Sequence, residues 1–436
     1  MAKVEVNSTN AQAQITSNYE HSMKRNAVIR NLTVSNVNRT AMIESDVCTR
    51  NPWDDWWYSF ILGRNPLNTS GILGSVSVID LFGSAGGLSL GIREAIRAFG
   101  YKMNSLSAVD LDVDALGTYE TNFSPRRIFG ESVSNLVDYR VVGLGAKREF
   151  AYEPAALKGM VEFTGVDLLV GGPPCQGHSS LNNLTRGQDD RNDLYLVMPA
   201  LAIALNAKSV VIENVPRVVH DKGQVVQAAE KILRNAGYYL SSGVLKASEL
   251  GWPQTRSRHF LIASKTNQPK DVKLFSEILS ETPRPLSWLI QSLEERFNQG
   301  DPILDTVPKM SADNVRRVNW LFENNQYDLI NSERPKCHQD GHTYPSVYGR
   351  LKYDSPAPTL TTGFQTPGRG RHVHPTQRRV LTIREAARIQ GFPDSFQFVN
   401  EKGEPASRGN MQKWIGDAVP SILGYVAGLI ALEAML

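Results

Sequence analysis

The chain has little cysteine, no long unbroken apolar run and almost no charge imbalance. Its three cysteines, Cys48, Cys175 and Cys337, are too few and too scattered in 436 residues for a disulfide framework, which makes a reducing cytoplasm the natural compartment. No stretch approaches a membrane span, and the polar start (Asn7, Ser8, Thr9, Asn10, Gln12) carries no signal-peptide core. The longest apolar tail, 422–436, is interrupted by glycines and Glu433, so a buried helix is expected there. A net charge of +3 permits an anionic partner without requiring one. Cys337, His338 and His342 sit close together but have no partnering cysteine pair, which argues against a zinc site. With 41% hydrophobic and 21% charged residues, the composition is that of a soluble globular protein of two or three domains.

What is present is organised around 166–179, where an apolar run, Val166 to Val170, ends in two glycines, two prolines and Cys175. The run reads as a buried strand and Gly-Gly-Pro-Pro as a loop. Ligands of open α/β sheets sit beyond the carboxyl ends of the strands. A thiol held there by a stiff backbone is placed to act as a nucleophile, although a lone cysteine is more often a small buried hydrophobe. Upstream, Val76, Val78 and Ile79 make a strand that ends at Asp80. Phe82, Gly83, Gly86 and Gly87 make a turn, and residues 88–99 a helix. Strand, glycine turn and helix open a nucleotide-binding half. The spacing is not Gly-x-Gly-x-x-Gly and no Lys-Ser/Thr pair follows, so a phosphate cradle is not indicated. Asp110 ends a second strand, where an acid accepts from ribose hydroxyls, or else it caps the helix over 111–122. Glu131 stands at the tip of a third strand, 163–170 is the fourth and 208–212 the fifth, with Glu213 at its carboxyl end.

Strand alternation puts Gln254, Arg256 and Arg258 on one face, and a buried arginine pair needs anionic or carbonyl partners. The polar stretch 177–191 is long for a loop in a compact domain; its Ser179, Ser180 and Arg186 are candidates for phosphate contacts. Four regions follow: 1–70, an extension expected to be partly disordered because it is polar and lacks periodicity; 71–265, the catalytic sheet domain; 266–375, a smaller loop-rich domain; and 376–436, helices returning to the sheet. The aromatics Trp53, Trp56, Trp57, Tyr58 and Phe60 are expected to pack on the main domain, and Thr382 with Glu385 to form a capping box. In the loop-rich region Tyr344, Arg350, Thr359, Arg369 and Arg371 combine donors and aromatics suited to phosphates and base edges.

These pieces, in this order from about Val76 to the end, resemble a DNA (cytosine-5) methyltransferase. The resemblance rests on the turn from Asp80 to Gly91, Pro173-Pro174-Cys175-Gln176, Glu213-Asn214-Val215, Gln254-x-Arg256-x-Arg258, the 384–394 helix and Gly416-Asp417-Ala418-Val419-Pro420. It implies a doubly wound, Rossmann-like methyltransferase sheet, a target-recognition domain and S-adenosylmethionine as cofactor. By the same resemblance, Cys175 would attack carbon-6 of a flipped-out cytosine, Glu213 would neutralise the ring at N3, and Arg258 and Arg256 would hold O2 or brace the loop. Asp80, Phe82, Gly83, Gly86, Gly87, Asp110, Glu131, Pro173, Asp417 and Ala418 would line the cofactor site, with Phe82 on the adenine, Asp110 on the ribose and Glu131 on the adenine amino group. Double-stranded DNA is the expected partner of a monomer, together with a cognate restriction or defence system; a membrane is not. Two positions depart from the family: Asp417 replaces the usual Asn, and Glu131 the usual Asp. Two alternatives stay open. One is a tRNA cytosine-5 methyltransferase, against which stands the absence of a Cys-Phe-Thr tripeptide. The other is a non-catalytic DNA-binding adaptor, against which stands the joint presence of Cys175, Glu213 and Arg258.

Overall fold

The computed structural model describes residues 17–24, 26–34, 37–44, 51–174, 194–339 and 347–436. Its first piece is a four-stranded antiparallel sheet of β1 (Ser17–Lys24), β2 (Ala27–Val34), β3 (Val37–Glu44) and β4 (Leu67–Asn68). Disorder was expected over much of this stretch. The strands hold because a period of two is hidden in a polar composition: Val28, Arg30 and Leu32 of β2 and Ala41 and Ile43 of β3 are buried, while the intervening residues take the outer face. Helix α1 (Pro52–Ile61) lies between β3 and β4 in sequence, capped by Asn51, and buries Trp53, Trp56, Trp57 and Phe60 as expected.

The main sheet has seven strands: β5 (Ser75–Leu81), β6 (Lys102–Val109), β7 (Arg127–Phe129), β8 (Leu168–Gly171), β9 (Ser209–Asn214), β10 (Tyr239–Lys246) and β11 (Ser257–Ser264). Their spatial order is β10-β11-β9-β8-β5-β6-β7. Strands β7, β6, β5, β8 and β9 pair in parallel, and β11 pairs antiparallel to both β9 and β10. Every residue of β8 and β9 is buried, as a parallel strand covered on both faces requires. The chain runs outward from β5 through β6 to β7, then crosses to β8 and β9. The winding therefore reverses between β5 and β8, the position at which doubly wound sheets open a ligand crevice.

Helices α2 (Gly87–Ala98), α3 (Val113–Phe123), α4 (Val197–Ala204) and α5 (Val225–Asn235) accompany the sheet. Beyond it come α6 (Ala312–Glu323), α7 (Ile383–Ile389), α8 (Arg408–Asp417) and α9 (Ser421–Met435). All of α9 is buried, the outcome expected for the apolar tail, and it lies directly on α2. The helix backbones approach so closely that a Cβ on Gly91 would fall 2.2 Å from the Ser421 oxygen and 2.6 Å from the Tyr425 nitrogen. Among the described residues no single helix is long and apolar enough to cross a membrane.

In the region 266–375, for which a smaller domain is expected, Leu286, Leu289, Ile290, Leu351, Ala357, Leu360 and Phe364 belong to the same apolar core as α2 and α9. Only Val318, Leu321, Leu329 and Val373 form a small cluster apart from it. The sequence there lacks long periodic runs because its apolar residues are anchors into a core built by other segments.

The N-terminal sheet is fastened by charge as well as packing. Arg30 of β2 pairs with Glu94 of α2 at 2.6 Å, both side chains almost wholly buried, and its guanidinium lies 4.3 Å from the Trp56 ring centroid. The Tyr19 hydroxyl donates to Glu433 of α9 at 3.1 Å, and Lys270 reaches the same carboxylate at 2.8 Å. Two predictions follow from this packing. Gly91→Ala should cost about 1–3 kcal/mol or more, because the clash is with backbone that cannot rotate away; Gly409→Ala, where an added Cβ meets only Ser407 Oγ at 3.9 Å, should leave urea unfolding nearly unchanged. Glu94→Ala should cost about 3–5 kcal/mol by stranding a buried guanidinium, whereas Glu94→Met combined with Arg30→Met should recover much of that loss.

Candidate functional site at the carboxyl rim of the sheet

Four strands deliver polar groups to one rim. Strand β5 ends in Asp80 and Leu81, followed by Phe82 and Ser84 with φ of +59° and +45° and Gly86 with φ of +88°. Non-glycine residues at positive φ are uncommon and gather where a turn must admit something close. The tight turn lies over Asp80: a Cβ on Gly83 would sit 3.2 Å from its Cγ. Asp80 is 1% exposed. Its Oδ2 accepts from Ser89 Oγ at 2.6 Å, and the Tyr119 hydroxyl stands 2.9 Å behind that serine. Its Oδ1 is buried without a partner. Burial, with the nearby Asp110 adding to it, pushes the Asp80 carboxyl up to about 7.

Asp110 directly follows β6, where it was expected. Its Oδ2 accepts from the Ser84 amide and its Oδ1 from the Asp112 amide, each at 2.9 Å. The cap of α3 is Asp112, whose Oδ1 accepts from the Ala115 amide, so Asp110 is left at the rim. Burial raises its affinity for a proton. Asp112 Oδ2 takes Lys413 at 2.6 Å and Trp414 Nε1 at 3.0 Å, which draws α8 against the rim. At the end of α8 are Asp417 and Ala418; an added Cβ on Gly87 would meet the Ala418 Cβ at 2.8 Å. The first glycine turn and the last motif, separated by some 330 residues, thus share one wall. Glu131 stands two residues past β7, bound to Lys158 and to Asn135 at 3.2 Å. Its carboxylate is satisfied from a neighbouring loop, a partnership that the strand-tip reading did not foresee.

The second half of the rim is built by β8, β9 and β11. Glu213 and Asn214 belong to β9 itself, which runs two residues beyond the expected end. Because β11 is antiparallel to β9, its first residues arrive at the rim where β9 leaves, with Asn214 opposite His259. Arg258 Nε then meets Glu213 Oε1 at 2.7 Å. Oε2 of the same carboxyl faces the chain that leads to Cys175: a Cβ on Gly172 would lie 2.8 Å from it. Asn214 Nδ2 donates to the Pro173 carbonyl at 3.1 Å, tying the same loop to β9. Burial raises the proton affinity of Glu213 against the opposing pull of Arg258 and Arg256. Arg256 takes a different direction from Arg258. It is buried and donates to the carbonyls of Leu360 at 2.8 Å, Gly416 at 3.1 Å and Asp417 at 2.9 Å. The strand begins only at Ser257, so alternation does not hold at Gln254 and Arg256. Arg256 positions the site and Arg258 faces it.

Cys175, Ser179, Ser180, Arg186 and Tyr344 lie outside the described residues, as does His342. Of the other residues put forward for DNA contact, Thr359 and Arg369 are exposed. Arg350 stacks 4.0 Å from the Phe322 ring centroid and donates to the Pro375 carbonyl at 2.8 Å. Arg371 donates to the carbonyls of Tyr327 and Arg350 and pairs with Asp328 at 2.5 Å. These two hold the loop region together. Residues that sequence reasoning missed are Ser89, Tyr119, Gly172, Lys413 and Asp112. Asn214 was legible as part of its motif, but nothing local marks Tyr119, whose role depends on α3 crossing α2.

Most of the chain compares well with known proteins. It is 42% identical over 382 residues to the type II methyltransferase M1.BsuMI of Bacillus subtilis (strain 168), spanning 87% of this chain and 85% of that one. It is 30% identical to the type II methylase M.HgiDII of Herpetosiphon aurantiacus, spanning 80% and 93%. Among solved structures, the S. pombe Dnmt2 methyltransferase superposes with a TM-score of 0.52 at 18% identity, over 82% of this chain and 98% of that one; the Entamoeba histolytica methyltransferase EhMeth gives 0.50 at 16%, over 83% and 98%. Both show the fold. The model of the C-5 cytosine-specific DNA methylases matches residues 76–427, and the chain belongs to that family.

Proposed function

We propose that this DNA cytosine-5 methyltransferase takes its methyl group from S-adenosylmethionine and acts on a cytosine extruded from duplex DNA, with Cys175 as transient nucleophile. The observation that carries the reading is the position of Glu213, buried between Arg258 and the Gly172 backbone three residues before Cys175. Carbon-5 of cytosine is a poor nucleophile. Addition of the Cys175 thiolate to carbon-6 makes carbon-5 enamine-like and sends negative charge toward N3. Glu213, whose burial favours the protonated form, supplies or shares a proton there. Arg258 holds Glu213 through Nε and the Ser257 carbonyl through Nη1 at 2.8 Å, so Nη2 is the group it offers to the O2 carbonyl. Once carbon-5 carries the methyl group, loss of its proton to a water and elimination of the thiolate from carbon-6 release Cys175. A stacked base cannot meet a thiol at the rim, so the target must leave the helix at a cost of a few kcal/mol.

The cofactor half of the rim fits a cationic nucleoside. Buried Asp80 Oδ1 lacks a partner, which suits an ammonium group. The Asp110 carboxyl, oriented by two backbone amides, retains lone pairs for ribose hydroxyls, and Phe82 offers a ring at the turn. When bound there, S-adenosylmethionine supplies an electrophilic methyl group. Of the described residues put forward for DNA contact, Thr359 and Arg369 are exposed and keep that role in the proposal. Since both named relatives are type II enzymes, a companion nuclease is part of the proposal.

Duplex DNA carrying 5-fluorocytosine should trap the wild-type enzyme covalently on a denaturing gel. Cys175→Ala should bind duplex DNA yet form no adduct. Glu213→Gln should lower single-turnover methylation on the order of 10²- to 10⁴-fold with DNA affinity retained. An adduct on Cys175→Ala, or faster methylation of transfer RNA than of duplex, would overturn the reading. The cofactor half carries its own prediction. Because Asp80 titrates near 7 in the folded protein and a cation needs it ionised, calorimetric affinity for S-adenosylmethionine should rise as pH climbs from 6 to 8. Binding below 7 should release a proton, and Asp80→Asn should abolish both the slope and the release. A pH-independent wild-type affinity would exclude Asp80 as the ammonium partner.

A further inference from the structure

The cofactor reading leaves one residue without a task. Asp417 ends α8 with its side chain exposed at the rim, although its backbone carbonyl is fixed by Arg256. Its neighbour Ala418 lies against Gly87 of the first turn, and Lys413, one turn back on α8, reaches Asp112 beside Asp110; partial burial raises the proton affinity of the Asp417 carboxyl against the opposing pull of Arg256, Lys413 and Arg258. Residue 417 therefore stands where the Asp80–Asp110 half of the rim meets the half held by Arg256. A group that hands a methyl from the first pocket to a base in the second must pass through this interval. The surroundings are acidic: Asp80, Asp110 and Asp112 gather with Asp417, and Lys413 is engaged by Asp112 at 2.6 Å. The buried, unpartnered Asp80 Oδ1 independently marks the rim as shaped for a cation.

The geometry points to Asp417 as a charge discriminator that makes the site prefer the cationic methyl donor over the neutral product of the transfer. This deepens the proposed function and rests on it. In the transfer the S–CH3 bond breaks and the carbon-5–CH3 bond forms; the pair of electrons from the broken bond stays on sulfur. S-adenosylmethionine enters with a sulfonium charge, and S-adenosylhomocysteine leaves as a thioether without it. The two ligands share the adenine, the ribose and the amino acid group. A carboxylate beside the sulfur is one of the few features that tells them apart, and it acts by weakening product retention.

The test is calorimetric binding of each nucleoside to the full chain without DNA, so that no turnover occurs. Wild type is compared with Asp417→Asn, which keeps the backbone bond to Arg256, and with Asp417→Glu, which keeps the charge. The affinity ratio of S-adenosylmethionine to S-adenosylhomocysteine should fall about fivefold in Asp417→Asn, the scale of a partly exposed charge pair. Asp417→Glu should retain most of the wild-type ratio. Raising salt should shrink the ratio for wild type and leave Asp417→Asn unmoved. An equal ratio in wild type and Asp417→Asn, with both ligands binding, overturns the role of Asp417 and leaves the methyl donor reading intact. If neither nucleoside binds wild type, the cofactor reading fails and takes this inference with it.

Discussion

A carboxyl group withdrawn from water must be protonated, paired or both, and much of this rim is arranged around that requirement at Glu213. Taking a carboxylate out of water costs several kcal/mol even after the surroundings relax. Arg258 offsets that cost at one oxygen. The other lies so close to Gly172 that a Cβ there, 2.8 Å away, would push the carboxyl from its place beside Arg258. The glycine before the two prolines is therefore a matter of contact with Glu213 as well as of turning the chain. Arg258 reaches Glu213 only because β11 enters the sheet against the direction of β9. An all-parallel sheet would have sent the first residues of that strand to the opposite rim.

Around this pair the chain spends its other charges on fixing distances. Helix α7 and the residues after it form the hub. Glu385 closes the capping box with Thr382 and takes Arg379 through two bonds of 2.8 and 2.7 Å, which hold its carboxyl well below the usual carboxylate range. Arg384 grips Asp305 and Arg388 grips Asp394, each through two bonds. Gln390 donates to the carbonyls of Ile415 and Ala418. One short helix thus reaches the loop-rich region on one side and the wall shared by Gly87 and Ala418 on the other. Paired, fork-shaped contacts suit this because they fix angle as well as distance. Arg256 makes the same kind of link through three carbonyls.

The central sheet was legible because buried parallel strands are short apolar runs with abrupt ends: glycine closes β5 and β8, and the polar pair Glu213-Asn214 closes β9. The capping box at Thr382 and the buried tail were equally plain. Boundaries slipped where a polar residue lies inside a strand: Glu213 and Asn214 look like a loop but are two rungs of β9. The N-terminal strands were missed because β1 to β3 alternate around asparagine and threonine, so composition masks the period. Asp80, Asp110 and Glu213 could be placed at one rim by topology alone. Which arginine pairs with Glu213 could not, since Arg256 and Arg258 differ by two residues and part company only through carbonyls contributed from 360, 416 and 417. Glu131 shows the same limit, because its partner Lys158 sits in a connection whose path no local signal sets.

The family match begins at residue 76, yet the fold does not divide there. Helix α2 presents Ser89 to Asp80 in its first turn and Glu94 to Arg30 further along. Its buried flank is closed by α9, which in turn carries Glu433 to Tyr19. Without β2, Glu94 would face apolar surroundings with Arg97, 3.8 Å away, as its nearest charge. The strands before residue 76 therefore complete the charge balance of the helix that orients the Asp80 carboxyl. A disturbance of the N-terminal sheet would be carried toward the Asp80 turn by that helix, because the close approach of the α2 and α9 backbones at Gly91 leaves little room to slide.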